Sequence, residues 1–522
     1  MNYSFSNLAL SLINVFESQA ALDNDEKVTV NALVSRVASF YEKFRTAMDY
    51  GSEETIPRRA IERMLKRMFF LEKRSKAISE DLVRELIWAG YFPNATVPES
   101  LIEKVGSAID LHQKLKTEVG KQKLLSSDDL NEFVLQMLSC EIFNILLPNK
   151  EKEAVANFMF RVLKDQVKIE DETDQTKDIQ VFLAIRKSFA KDDLPFLKYK
   201  LFTQIFGRLN DITIEETIKN FVNGYKEIRF QLTYPKKERI LSYVKRVTPP
   251  FLILYDLLWE EKGHIKILAK DQEALRQKVF DICERKYSTI RGKIQRAIVR
   301  SFIFILFTKA IIAFAVEGAF ESIFYGRIQW FSIVLNTIIP PAIMGVVGVT
   351  IRTPSEENSK LIFTDIQKLM FVENPVIANA ITITLKTKTR ASLKDYIFSA
   401  FWIFTILLAF GIILIFLDRL SFNILSKAIF IFFIAIISFL SYRIYQTAHS
   451  FTVVKNQNIF TPILEFFFVP IIRVGRELTE AFSQINFILL VIDFIIEAPF
   501  KGIIGFFEQW FLFVAAKREE LE

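Results

Sequence analysis

The chain has 522 residues and a formal charge of +7; 51% of it is hydrophobic and 24% charged. That length excludes a single ordinary core, and those two fractions coexist only if apolar and charged residues are segregated along the chain. With Gly 16 and Pro 15 the composition disfavours turn-rich β folds. Two cysteines, Cys140 and Cys283, exclude a disulfide framework and fit a reducing compartment.

The N-terminus, MNYSFSNLALSLINVF, has no basic region and runs into acidic residues, so it does not read as a signal peptide. The first apolar run after Arg300 is then expected to direct membrane insertion. Residues 1 to about 290 read as a succession of amphipathic helices. Pro57 fits a first-turn position, and Ser126 with Asp129 and Thr213 with Glu216 resemble capping boxes. Pro98, Leu147–Pro148–Asn149 and Pro249–Pro250 punctuate the series. The acidic run from Ile169 to Asp178 is expected to be an exposed linker between helical subdomains at 1–168 and 179–299.

One helix carries Arg58, Arg59, Arg63, Lys66, Arg67, Lys73, Arg74 and Lys76. It reads as a solvated face in preference to a surface for anionic lipid or nucleic acid, because no aromatic stacking platform accompanies it. Nucleic acid is not an expected partner. Ahead of the membrane half stands a basic collar of Arg285, Lys286, Arg291, Lys293, Arg296 and Arg300, suited to anionic headgroups.

Four runs meet the length rule for a spanning helix: Ser301–Ile323, Trp330–Ile351, Tyr396–Leu417 and Ile424–Tyr442. The connection 352–395 holds Arg352, Lys360, Lys368, Lys386, Lys388, Arg390 and Lys394, whereas the other two connections are poor in Lys and Arg. The collar, the 352–395 loop and both termini are therefore expected on the cytoplasmic side of the cytoplasmic (inner) membrane. Within that loop, Ile381–Arg390 alternates like a short strand, which could dock on the N-terminal domain. The expected fold is thus all-α: a multi-helix cytoplasmic domain, a four-span membrane domain at 300–446, and membrane-associated amphipathic helices and tail at 447–522.

The stretch from Ile459 to Phe513 is apolar but interrupted by charge and by Pro462, Pro470 and Pro499. Asp493, Glu497, Lys501 and Glu508 share one narrow helical face, a candidate docking stripe. Whether this stretch spans the bilayer or lies in its interface stays open at this level. In the first span Lys309 and Glu317 share a side with Glu321, and the second contributes Asn336, Pro340–Pro341, Gly345 and Gly348. Charges in a span are costly, so Lys309, Glu317 and Asn336 form either an intramembrane polar pathway or a register-fixing salt bridge.

His112, His264 and His449 lie in separate segments, and no phosphate loop, GxGxxG turn or GxSxG elbow occurs. No cofactor or metal site is expected, and an enzyme is the weakest reading. The leading expectation is a non-enzymatic membrane scaffold, anchor or assembly factor with protein partners on its cytoplasmic face. The alternative is a homo-oligomeric ion or proton channel, or a transporter subunit.

Overall fold

Among the described residues, the amphipathic periodicity of the N-terminal half folds almost wholly as helices. A computed structural model describes residues 4–18, 25–47, 53–70, 75–170, 172–384, 393–453, 468–478, 506, 510 and 513–514. Two compact units emerge, one built on Ser4–Ile265 with Lys368–Leu385, the other on Lys266–Gln367 with the described parts of Lys386–Ile488.

Local signals place several helix starts. Pro57 occupies the first turn of Ile56–Phe70. Ser126 accepts the Asp129 backbone N–H at 3.1 Å, making the cap, and Asp129 Oδ2 accepts from the Ser126 hydroxyl at 2.6 Å in place of the backbone N–H of a capping box. Thr213 behaves differently: its hydroxyl donates to the Arg208 carbonyl at 3.0 Å and makes no cap bond. Asn210 organises that turn instead, its Oδ1 accepting the Ile212 and Thr213 N–H groups at 2.9 and 2.8 Å.

Once formed, these helices bury apolar clusters, two of them large. Ile61, Met64, Leu65, Leu82, Leu86 and Ile109 anchor the first. Phe133, Phe202 and Phe221 anchor the second, with Phe133 and Phe221 packed edge to face at 5.7 Å. Of the basic series read as a solvated face, Lys66 and Lys76 are exposed, Lys73 and Arg74 lie outside the described residues, and three arginines depart from it. Arg58 is only 2% exposed and donates to Asp193 at 2.8 and 3.2 Å and to Ser139 at 3.1 Å, and it also pairs with Glu62. Arg63 meets Glu42 at 2.9 Å, and Arg67 pairs with Glu85. Carboxylates from elsewhere in the chain face these guanidinium groups and offset the cost of taking them out of water.

The acidic run at 169–178 contains the end of strand β1 (Val167–Glu170) and the first turn of the helix Asp174–Ile185, which is capped by Thr173. Strand β2 (Ile381–Thr384) pairs with β1 in parallel, Val167 opposite Ile381 and Glu170 opposite Thr384. Val167 and Ile383 are buried, while Thr384 Oγ1 donates to Glu170 at 2.7 Å. Nearby, the Met370 carbonyl accepts the Ser6 N–H at 2.9 Å, and the Pro375 carbonyl accepts from Gln166 at 3.2 Å. The connection between the second and third apolar helices is therefore woven into the helical unit. Residues 385–390 of the strand-like run lie outside the described residues.

Among the described residues, four helices are long and apolar enough to cross a membrane: Gln272–Tyr325, Trp330–Thr350, Tyr396–Arg419 and Ile424–Ala448. The first begins far ahead of the run at Ser301, since no breaker interrupts Gln272–Ile312. Along its charged half Arg285, Arg291, Lys293, Arg296 and Arg300 are exposed and Lys286 is half-buried, whereas Ile282, Tyr287, Ile290 and Ile294 are buried. A Cβ on Gly348 would fall 2.7 Å from Ile298, so glycine sets the approach of the first two helices.

His112 supplies a pH handle on the helical unit. Burial holds its imidazole below the ordinary value of 6.5, against a 2.8 Å hydrogen bond to the Ala108 carbonyl. The unfolded chain therefore takes up the proton first, and stability present above that value is lost as pH falls below it. Melting of this unit should occur at lower temperature at pH ~5.5 than at pH ~7.5, and His112→Asn should narrow the difference. An unchanged difference in the variant would assign the pH dependence to other groups.

Candidate functional site

Lys309 and Glu317 are separated by eight positions, which in an ideal α-helix would leave them about 80° apart around the axis. The structure removes most of that offset with a π-helical turn at Ala313–Gly318. Wider turns of this type rotate less per residue and recur at functional positions. As a result Lys309 Nζ donates to Glu317 Oε1 at 3.0 Å, with both side chains 0% exposed.

The second helix brings Asn336, whose Nδ2 donates to Glu317 Oε2 at 2.7 Å and to the Ser426 carbonyl at 3.2 Å. The start of the fourth helix brings Ser426, whose hydroxyl donates to the same Oε2 at 2.8 Å. All three residues of the expected pathway thus converge on one carboxylate, joined by a serine. Pro340 lies four residues after Asn336 and has no N–H, so it cannot satisfy the Asn336 backbone carbonyl as an ordinary residue would.

From Ser426 the polar contacts continue. The Ser426 N–H donates to Asn423 Oδ1 at 2.8 Å, which is also the cap of the fourth helix. Asn423 Nδ2 donates to Glu321 Oε1 at 2.7 Å, and Glu321 Oε2 accepts the Gln329 backbone N–H at 2.6 Å. The result is an unbroken column from Lys309 to the 326–329 connection. Twelve residues separate Lys309 from Glu321, a rise of about 18 Å. On the other side of Lys309 the same helices close with Ile305, Met344, Phe433 and Ile437, all buried. The ammonium group itself lies 5.0 Å from the Phe433 ring.

The sequence pointed to Lys309, Glu317 and Asn336 through the rarity of charge in an apolar run. Ser426 and Asn423 were missed, although N-x-x-S at the head of the fourth helix is a recognisable capping pattern. Ser332, one turn before Asn336, is also buried; its Oγ and Asn336 Oδ1 have no hydrogen-bond partner among the described residues. The collar residues, exposed except for half-buried Lys286, precede this cluster on the first helix. The stripe of Asp493, Glu497, Lys501 and Glu508 lies outside the described residues. Among the described residues no three His, Cys, Asp or Glu side chains converge as metal ligands. Compared with known protein families, curated proteins and solved structures, the chain matches none.

Chemically, the column holds a balanced ion pair whose carboxylate is saturated by three donors. Removing one partner of such a pair leaves an uncompensated buried charge, at a cost of roughly 3–5 kcal/mol. Glu317→Gln should therefore lower the melting temperature of the purified protein. Adding Lys309→Met to that variant should recover part of the loss. Strictly additive effects of the two substitutions would show that the pair is not coupled.

Proposed function

We propose that this chain is a multi-pass protein of the cytoplasmic membrane that acts as a non-enzymatic scaffold, anchor or assembly factor. Its helical unit, with the collar and both termini, would face the cytoplasm and carry protein partners. The observation that carries this reading is the parallel pairing of β1 with β2. A connection between two apolar helices is spliced into the helical unit, which is thereby tethered to membrane segments both through Ile265–Lys266 and through the 352–395 connection. A platform so tethered is suited to holding a partner near the bilayer. The exposed collar arginines and lysines would add attraction to anionic headgroups, about 1 kcal/mol for each charge near the surface.

Crosslinking in native membranes, followed by mass determination of what accompanies the chain, tests the reading. A foreign protein in stoichiometric amount is the expected result. A homo-oligomer with no foreign component would count against it.

The buried column favours a second reading, an oligomeric ion or proton channel or a transporter subunit. Glu317 would then be the group through which charge passes, and Glu317→Gln would change the flux of ions or protons into liposomes holding the purified protein. Equal flux in the two proteins would remove that role from the carboxylate.

A further inference from the structure

Residues 468–478 are helical, and they pack on the third and fourth apolar helices rather than standing apart. Ile471, Val474 and Leu478 share one face and meet Ala409, Ala435 and Phe410 in a small apolar cluster. Gly475 lies on that face so close to the fourth helix that a Cβ would fall 1.8 Å from the Ala435 carbonyl oxygen. Only glycine fits such an approach.

Those neighbours fix the depth of this helix. Counting from Tyr396, where the third apolar run begins, Ala409 lies about 20 Å in and Trp402 about 9 Å in at 1.5 Å per residue. Ala435 lies about 16 Å from the opposite end of the fourth helix by the same count. Ile471 therefore sits near the middle of a hydrocarbon layer about 30 Å thick.

The other side of the helix is charged. Arg473 places its guanidinium 5.9 Å from the Trp402 ring centroid, and its Nε donates to Glu477 at 3.3 Å. The terminal nitrogens of Arg473 have no acceptor among the described residues, and its side chain is 63% exposed. Arg476, three positions on, is exposed too. A guanidinium stacked on an aromatic face keeps its edge free, and that planar edge matches two phosphate oxygens. Long side chains on a helix lean toward its N-terminus, so the Trp402 ring and the guanidinium over it reach from about 9 Å inside the apolar run toward the boundary between acyl chains and headgroups.

We propose that residues 468–478 form a membrane-embedded helix seated on the third and fourth spans, and that Arg473, braced by Trp402, holds the phosphate of an anionic phospholipid. The lipid occupies the leaflet bordered by the lysine-rich 352–395 connection, where positive charge concentrates such lipids. Glu477 orients the guanidinium from one side, leaving its outer edge to the headgroup. The inference requires only that the apolar helices cross the bilayer, and it holds under either function proposed above.

The test uses the full chain in nanodiscs made from phosphatidylglycerol and phosphatidylcholine in equal parts, with the lipid retained after detergent extraction identified by mass spectrometry. The wild-type protein should retain phosphatidylglycerol preferentially. Arg473→Gln should weaken that preference about tenfold, the size expected for losing a hydrogen bond to a charged group. Trp402→Leu should weaken it in the same direction, and Lys427→Gln, at the other end of the spans, should leave it intact. Because Arg473 is exposed, the Arg473→Gln protein should melt as the wild type does, separating lost binding from lost folding. Gly475→Leu should abolish the preference with Arg473 still present, by displacing the helix from Ala435. Undiminished preference in Arg473→Gln would overturn the proposal. Displacement of the lipid by excess inorganic phosphate would also overturn it, assigning the site to free phosphate.

Discussion

An ionised carboxylate inside an apolar bundle costs several kcal/mol unless donors surround it, and no water is at hand to supply them. Glu317 is where this chain meets that constraint. Its oxygens are taken by Lys309 from its own helix, Asn336 from the second and Ser426 from the fourth. Three helices are therefore held in one register, since a slip by one residue would strip a donor from a buried charge. The third helix is fastened differently. Among the described residues, apart from Lys427 paired with Asp418 near its end and Arg473 over the Trp402 ring, its contacts are apolar clusters around Ala409 and Leu417. Apolar contacts tolerate sliding better than a saturated carboxylate does, so rigidity is concentrated in the first, second and fourth helices.

The same logic operates with neutral groups at the other end of the bundle. Asn358 Nδ2 donates to the Tyr287 hydroxyl and the Phe451 carbonyl at 2.8 and 2.7 Å, and its Oδ1 accepts the Val453 N–H at 2.9 Å. One amide thus ties the charged half of the first helix to the segments leaving the second and fourth. In the helical unit three arginines are answered by acids on other elements: Arg58 by Asp193, Arg63 by Glu42, Arg67 by Glu85. In all three arrangements a polar group binds separate elements by drawing its partners from them.

Features coded by local pattern could be read from the residues. The change of character at Arg300 and the apolar runs depend on composition over about 20 residues, and the helix starts at Pro57 and Ser126 depend on a few neighbours. Lys309, Glu317 and Asn336 stood out because charge and amide are rare in such runs. What escaped was set by tertiary partners. The arginines of the basic helix look solvated until Asp193, Glu42 and Glu85 are placed beside them. Residues 169–178 resemble a linker because half of what orders them, strand β2, lies more than 200 positions away. The π turn that aligns Lys309 with Glu317 has no residue signature at all, and without it their spacing predicts a poorer contact.

The polar column and its apolar closure place mechanical demands on any transport role. Polar contacts run from the 326–329 connection to Lys309, and beyond it Ile305, Met344 and Ile437 fill the space. An ion arriving at Lys309 would face a cation and then a layer of hydrocarbon, the worst environment for charge. Passage therefore requires the first and second helices to separate on the far side of Lys309, where Gly348 lies so near Ile298 that even a Cβ would not fit. Small-residue contacts of this kind gain their strength from closeness and lose it within a fraction of an ångström. Anchoring and transport thus make opposite demands on one contact: a scaffold gains from keeping Gly348 against Ile298, whereas a conducting protein must part them while Glu317 keeps its donors.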